Sequence, residues 1–446
     1  VQNSPQKIAV IGAGVAGIVA AHILSRRFAV TLIESADYVG GHTNTITIQR
    51  GPDEGTPVDT GFIVLNDQTY PNFQKFLSQL KVAIRKSEMT FSFYNRDTGL
   101  AYSSQFPNGL FAQRLNLFRP SFLGMIRDYF RFNKNALRDL EAGRLQGQTL
   151  GQYLWANRYS ETFIKQFLIP CTAAIWSTPP QEALDFPIET FVTFYNNHGM
   201  LAYTTMPQWY TVVGGSHTYV KAFLERFPGQ LLINAPVASV SRHHHGVTVR
   251  LKDRRAFEFD KVVIAAHADQ ALAMLADPSP DEQRWLGAWR YHRNDTILHT
   301  DTSILSPNRR AWASWNYITD RRTNDHNPVT VAYYMNRLQG LKTANHYFVS
   351  LNHPAPIPDE HIIKRLNYSH PNYTFASLAS QPYLPTLNGP RHTYFCGSYF
   401  GYGFHEDAVK SAVAVGRAFG LDLDSVDSKT SAPVVAGAMK VFMLER

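Results

Sequence analysis

Two short β-branched runs flank one long apolar run at the start of the chain. In Lys7-Ile-Ala-Val-Ile11 the residues Ile8, Val10 and Ile11 predict a strand buried on both faces of a parallel sheet. Val30-Thr-Leu-Ile33 predicts a second strand, and the residues after Gly17 predict a helix between the two. Residues 120–140 carry helical spacing, with Phe122, Met125, Ile126, Tyr129, Phe130 and Leu137 apolar and Arg127, Arg131, Lys134 and Arg138 interleaved. Shorter helices are predicted over 150–155, 160–167 and 218–227, and Pro179-Pro180 and Pro187 punctuate the stretch between. Strand patterns recur at 237–240, 247–251 and 257–266. Alternating patches at 329–334 and 346–351 predict an antiparallel sheet. The run 393–397 and a helix over 406–419 follow.

This order predicts an α/β fold with a discontinuous Rossmann-like domain assembled from 1–71, 206–275 and 385–425. A mixed α+β substrate domain takes a mainly helical part, 72–205, and an antiparallel-sheet part, 276–384. Residues 426–446 form a C-terminal tail, read as a docking segment or as unstructured.

The turn between the first strand and helix carries the first chemistry. It reads Gly12-Ala-Gly14-Val-Ala16-Gly17, and Glu34 closes the second strand. Gly12 suits a tight turn, Gly14 admits a pyrophosphate to the backbone, and Gly17 lets helix and strand pack closely. The helix N-terminus then faces the phosphates, and Glu34 accepts from a ribose hydroxyl. Strand, turn, helix and acidic residue together predict a bound adenine dinucleotide.

Bulk properties narrow the partners. The 446 residues suit two or three domains with a large core, and the net charge of +8 favours anionic partners. The basic residues are dispersed and no nucleic-acid module is recognisable, so nucleic acid is not expected. Two cysteines, Cys171 and Cys396, point to a reducing, cytoplasmic setting, and neither a signal peptide nor a membrane span is visible. The helix around Arg127–Lys134 mixes basic and aromatic residues, as a helix resting on a membrane surface would; a solvated helix face is the plainer reading. His243-His244-His245 falls between two strands and reads as an exposed hairpin turn, so no metal site is expected.

Further motifs follow in order: Tyr38-Val-Gly40-Gly41-His42-Thr43, Val58-Asp-Thr-Gly61, Gly214-Gly215, Val262-Val-Ile-Ala-Ala266, Phe395-Cys-Gly397-Ser398 and Gly403-Phe-His-Glu-Asp-Ala408. With them the chain resembles the FAD-dependent amine oxidase and phytoene desaturase superfamily over nearly its whole length. It is most similar to a bacterial branch of FAD-binding oxidoreductases marked by Ser314-Trp-Asn-Tyr317 and Tyr334-Met-Asn-Arg-Leu-Gln339. That branch often accompanies cyclopropane-fatty-acid-synthase-like methyltransferases, which implies acyl-lipid chemistry.

The resemblance implies FAD. Gly12, Gly14, Ala16, Gly17 and Glu34 would hold its ADP half, and Val237 would lie beside the adenine. Gly40, Gly41, His42 and Thr43 would pass the pyrophosphate and flavin. Gly397 and Ser398 would approach the ribityl phosphate, and the helix opening at Glu406, Asp407 and Ala408 would face the flavin N1–O2 edge. Three positions depart from relatives: His42 replaces an arginine, Ser398 an acidic residue and Asp407 a glycine. Asp407 would repel a pyrophosphate unless it caps its helix.

No second GxGxxG follows a strand, so the substrate itself would reduce the flavin; the sequence names no electron acceptor. The expected reaction is hydride removal from a hydrophobic substrate such as a lipid acyl chain, walled by Phe191, Phe194, Tyr195, Tyr203, Trp209 and Tyr210. A flavin amine oxidase, caged by Tyr399, Phe400, Tyr402 and Phe404, and a non-catalytic flavin-binding scaffold are the alternatives. His405 is the candidate acid or base, Tyr402 the second catalytic candidate, and Asn336 and Arg337 candidate head-group anchors.

Overall fold

The opening strand Lys7–Ile11 lies in the middle of a parallel sheet, as its β-branched run requires. The computed structural model describes residues 5–201, 206–320, 329–424 and the backbone of 441–442. Among these, the sheet runs Thr393–Phe395, Lys261–Ile264, Lys7–Ile11, Ala29–Ile33, Gln230–Leu232 and Val441–Phe442, all parallel. Its strands therefore come from widely separated stretches of chain. Helix Val15–Leu24 packs on helix His405–Ala418. A Cβ on Gly416 would stand 2.7 Å from Ile23 Cγ2, so the missing side chain sets that contact.

A larger sheet faces the other end of the molecule. Its order is Ile362–Asn372, Arg290–His299, Phe348–Leu351, Thr330–Tyr334, Trp315–Thr319, Phe91–Asn95 and Ala101–Ser103. Neighbours are antiparallel except Trp315–Thr319 beside Phe91–Asn95. Two of these strands thus come from the stretch expected to be mainly helical. The continuous strand expected over 257–266 is two strands. Asp260 breaks it: its carboxylate accepts from Lys7 N and its N–H donates to Lys7 O. Ala256–Phe259 accordingly joins a small antiparallel sheet with Val237–His243 and Gly246–Leu251, whose turn carries the exposed His244 and His245.

The helical stretch holds more helix than the pattern predicts. The predicted helix at 160–167 continues through a wide turn, Ile164–Leu168, into helix Ile169–Trp176. Pro170 has no N–H to give the Gln166 carbonyl. Tyr102 Oη donates to that carbonyl instead, at 2.6 Å. Helix Pro120–Glu141 buries Phe122, Met125, Phe132 and Ala136, while Phe130 turns outward. Its buried Asp128 accepts from Ser160 N, and Asp139 accepts from Tyr153 Oη and Arg144. The tail 426–446, apart from the backbone of 441–442, and Tyr203 lie outside the described residues.

Candidate functional site

Three glycines shape the first turn for different reasons. Gly12 has φ +98° and a Cβ there would meet Ala265 O at 2.6 Å, so the turn itself demands glycine. A Cβ on Gly17 would fall 1.8 Å from Gly12 O, which makes Gly17 the helix-to-turn contact. Gly14 differs: its φ is an ordinary −71° and nothing stands within 4 Å of a Cβ. No protein neighbour requires glycine there, and the open space faces a cavity. The first N–H groups of helix Val15–Leu24 also face outward without a side-chain cap or an acidic first turn. A second glycine pair packs against this turn: Gly40 N donates to Ala13 O at 2.9 Å, and a Cβ on Gly41 would touch Gly14 Cα at 3.2 Å.

The cavity holds about 1110 Å³, above the roughly 300–1,000 Å³ of a pocket for one drug-sized ligand. It runs past the C-terminal ends of the parallel strands, where open α/β sheets place their ligands. Of the expected cofactor residues, Gly12, Gly14, Ala16, Glu34, Gly40, Gly41, His42, Val237, Gly397, Ser398 and Ala408 line it. Gly17, Thr43, Glu406 and Asp407 stand behind that wall, and so does Gly215, which packs on Thr45 and Asp59. Glu34 accepts from Ala13 N at 2.7 Å, Ala36 N at 2.9 Å and Ser35 Oγ at 3.0 Å. A carboxylate has about four acceptor sites, so one is left for a hydroxyl. An open, uncapped helix start, a glycine with empty space over it and an oriented carboxylate together fit an adenine dinucleotide.

Glu406 and Asp407 are spent on structure. Glu406 accepts from Asn72 N, Asn72 Nδ2 and Phe73 N and so caps helix Pro71–Gln79. Asp407 accepts from Tyr402 N and Phe404 N at 3.0 Å each, and so closes the start of its own helix. Burial raises its carboxyl pKa to about 6. The capping role foreseen for Asp407 is thus present.

His405 lines the cavity, and Tyr402 does not. The His405 ring stacks on Phe62 at 3.7 Å and meets Phe73 edge-on. Its Nε2 lies 3.0 Å from Tyr219 Oη, which in turn lies 2.6 Å from Thr43 Oγ1. Burial and the nearby His42 lower its pKa well below the ordinary value, so the ring is neutral. The charged form of this candidate acid or base is disfavoured here. Tyr402 instead turns toward Phe194, and its carbonyl accepts from Trp176 Nε1.

Three histidines that the sequence scattered meet on one wall. His42 stacks on Tyr368 at 4.8 Å and approaches His370 at 5.5 Å and His267 at 6.2 Å. Burial and mutual repulsion lower His42 and His267 to about 4 and His370 to about 3. His267 stands three residues past the end of strand Lys261–Ile264, which reaches the cavity, a signal that could have been read; Tyr368 and His370 lie within strand Ile362–Asn372 and had none. Among the described residues, no group of three His, Cys, Asp or Glu is placed to hold a metal.

The other expected walls divide. Phe194, Tyr195, Trp209, Tyr399 and Phe404 line the cavity; Phe191, Tyr210 and Phe400 do not. Arg337 bonds to Glu88 and Gln105, and neither it nor Asn336 reaches the cavity.

Comparison with known proteins agrees with this geometry. The model of the flavin containing amine oxidoreductase family matches residues 15–418. The mouse (Mus musculus) L-amino-acid oxidase is 23% identical over 362 residues, covering 76% of this chain. The chain spans about half, 53%, of that curated relative's length. Among solved structures, a CLA-producing fatty acid isomerase from P. acnes is similar at TM-score 0.65 and 16% identity, over 93% of this chain and 99% of the other. Cyclohexylamine oxidase from Brevibacterium oxydans IH-35A is similar at TM-score 0.62 and 15% identity, over 93% and 100%. At these identities the two structures speak for the fold. The family match, spanning most of the chain, makes this protein a member of the flavin containing amine oxidoreductases, with a flavin as its cofactor.

Proposed function

We propose that the chain is an FAD-dependent oxidoreductase that removes hydride from an uncharged, hydrophobic substrate, with a lipid acyl chain as the substrate class. In this reading Gly12, Gly14, Ala16 and Glu34 bind the ADP half, with Gly17 setting the turn. Gly40, Gly41, His42, Val237, Gly397, Ser398 and Ala408 line the rest of the cofactor's path. FAD, when bound, supplies a hydride acceptor.

One observation carries the choice of substrate. Among the described residues that line the cavity, Glu34 and Lys252 are the only Asp, Glu, Lys or Arg, and both belong to the dinucleotide end. Lys252 N donates to Pro236 O, and Ala235 N to Glu34 O, which ties them to one corner. The far end is walled by residues such as Phe91, Tyr129, Phe132, Leu168, Ile175 and Met200. The histidines that line the cavity are kept neutral by burial. A cationic amine or an amino-acid carboxylate entering that end would lose its water with no opposite charge to meet it. An acyl chain loses only apolar hydration. His405, neutral and held by Tyr219, serves as a hydrogen-bonding group that positions substrate or flavin rather than as a cation.

Amine oxidation, which the family name and the cyclohexylamine oxidase likeness suggest, is the second reading. Anaerobic mixing of the yellow holoprotein with detergent-dispersed fatty acids and phospholipids, and separately with primary amines, decides between them. Bleaching of the flavin band by acyl lipids is expected. Bleaching by amines alone overturns the proposal, and a colourless protein that stays colourless with added FAD overturns both readings.

A further inference from the structure

The far end of the cavity reaches the surface beside an unusual patch. Ser104 and Met206 both line the cavity and are exposed, Met206 at 62%. Tyr129, Phe132 and Asn133, also in the lining, lie on helix Pro120–Glu141. The chain between these two walls exposes large apolar side chains: Phe106 at 78%, Leu115 at 71%, Phe118 at 81% and Leu123 at 44%. Scattered single apolar residues are ordinary on a surface; four within eighteen residues of chain, on the segment that joins two walls of the cavity, are a denser set.

Charge accompanies the apolar side chains. From Thr98 to Arg127 the chain contains no Asp or Glu, and it contains Arg114, Arg119 and Arg127. All three are exposed. Leu123 and Arg127 are four residues apart on one helix and therefore share a face. The next acidic residue, Asp128, is buried and bound to Ser160 N; it pairs with Arg131 at 3.2 Å and more loosely with Arg127 at 3.9 Å, whose side chain stays 78% exposed. Among the described residues, no helix is long and apolar enough to cross a membrane.

We propose that residues 104–127 dock this protein on the surface of an anionic lipid bilayer, with Phe106, Leu115, Phe118 and Leu123 entering the acyl boundary and Arg114, Arg119 and Arg127 meeting lipid phosphates. Apolar side chains alternating with arginines are the pattern of an interfacial, non-spanning contact. Docking in this orientation turns the apolar mouth at Ser104 and Tyr129 toward the bilayer, so an acyl chain could enter without crossing water. This inference rests on the hydrophobic-substrate reading for its purpose but not for its test.

Co-sedimentation of the holoprotein with vesicles is read without turnover. Binding to phosphatidylglycerol-containing vesicles is expected, at least tenfold tighter than to phosphatidylcholine alone and weakened by salt. The variant F106S/L115S/F118S and the variant R114E/R119E/R127E should each lose at least tenfold in binding while keeping the flavin spectrum and the Tm. No vesicle binding by the unaltered protein overturns the proposal, and so does equal binding by both folded variants. A concentration-dependent dimer abolished by F106S/L115S/F118S, without vesicle binding, assigns the face to a second copy and also overturns it. Vesicle binding without flavin bleaching by acyl lipid upholds the docking surface and rejects only the substrate reading. Bleaching by detergent-dispersed lipid without vesicle binding does the reverse.

Discussion

Gly14 and Gly17 stand three residues apart and are glycine for opposite reasons. Gly17 is crowded by Gly12 O, whereas a Cβ on Gly14 would have nothing within 4 Å. Gly14→Ala should therefore leave the apoprotein's Tm unchanged and weaken FAD retention at least tenfold, about 1.4 kcal/mol, as read by flavin titration. Gly17→Ala should lower the Tm outright, by overpacking worth about 3 kcal/mol or more. Asp59 is a second residue with a clear sign. It is fully buried; Thr45 Oγ1, Ser216 N and Ser216 Oγ all donate to Oδ1, and Oδ2 has no partner. Burial raises its pKa to about 6. The folded state thus holds a proton more tightly than the unfolded state. Its stabilising contribution is present below about pH 3.8 and lost as pH rises through about 6. Asp59→Asn should stabilise the protein at pH 8 by up to about 3 kcal/mol, and chemical denaturation at pH 4 should find little difference.

At the scale of elements, the helix His405–Ala418 is where several arguments meet. Glu406 reaches back to Asn72 and Phe73, so one carboxylate ties the start of helix Pro71–Gln79 to the start of this one. Glu406→Ala leaves those donors unpartnered and should cost about 1–3 kcal/mol, visible as a lower denaturation midpoint at unchanged m-value. The sequence marked this helix to within a residue, since its apolar spacing is local. It could not mark what Glu406 binds, because Asn72 lies more than three hundred positions away. Helix Ile169–Trp176 was missed for a related reason. Pro170 reads locally as a break, and only the distant Tyr102 hydroxyl removes the cost.

For the whole molecule, buried histidines dominate the response to acid. His22, His42 and His267 are lowered to about 4, and His299 and His370 to about 3, chiefly by burial. Each binds its proton more weakly folded than unfolded. Their contribution is present above about pH 6.5 and lost as pH falls toward 4. Asp59 and Asp407, raised to about 6, act in the opposite sense but number fewer. Stability should therefore fall steeply between pH 6.5 and 4, by roughly 1.4 kcal/mol per pH unit for each net proton taken up. A flat Tm profile across that range would contradict the burial of this set.

Local chemistry was legible from the chain alone. The glycine turn, its strand and helix, and Glu34 are fixed by sterics and hydrogen bonding within some thirty residues, and they identified a dinucleotide site before any fold was known. Family membership was legible for the same reason, through short motifs in a fixed order. Tertiary structure alone decided the rest. It brought His42, His267 and His370 onto one wall, and it left the far end of the cavity without Asp, Glu, Lys or Arg among the described residues. Those features depend on which distant residues share a surface, and burial and charge balance are properties of that surface rather than of any stretch of sequence.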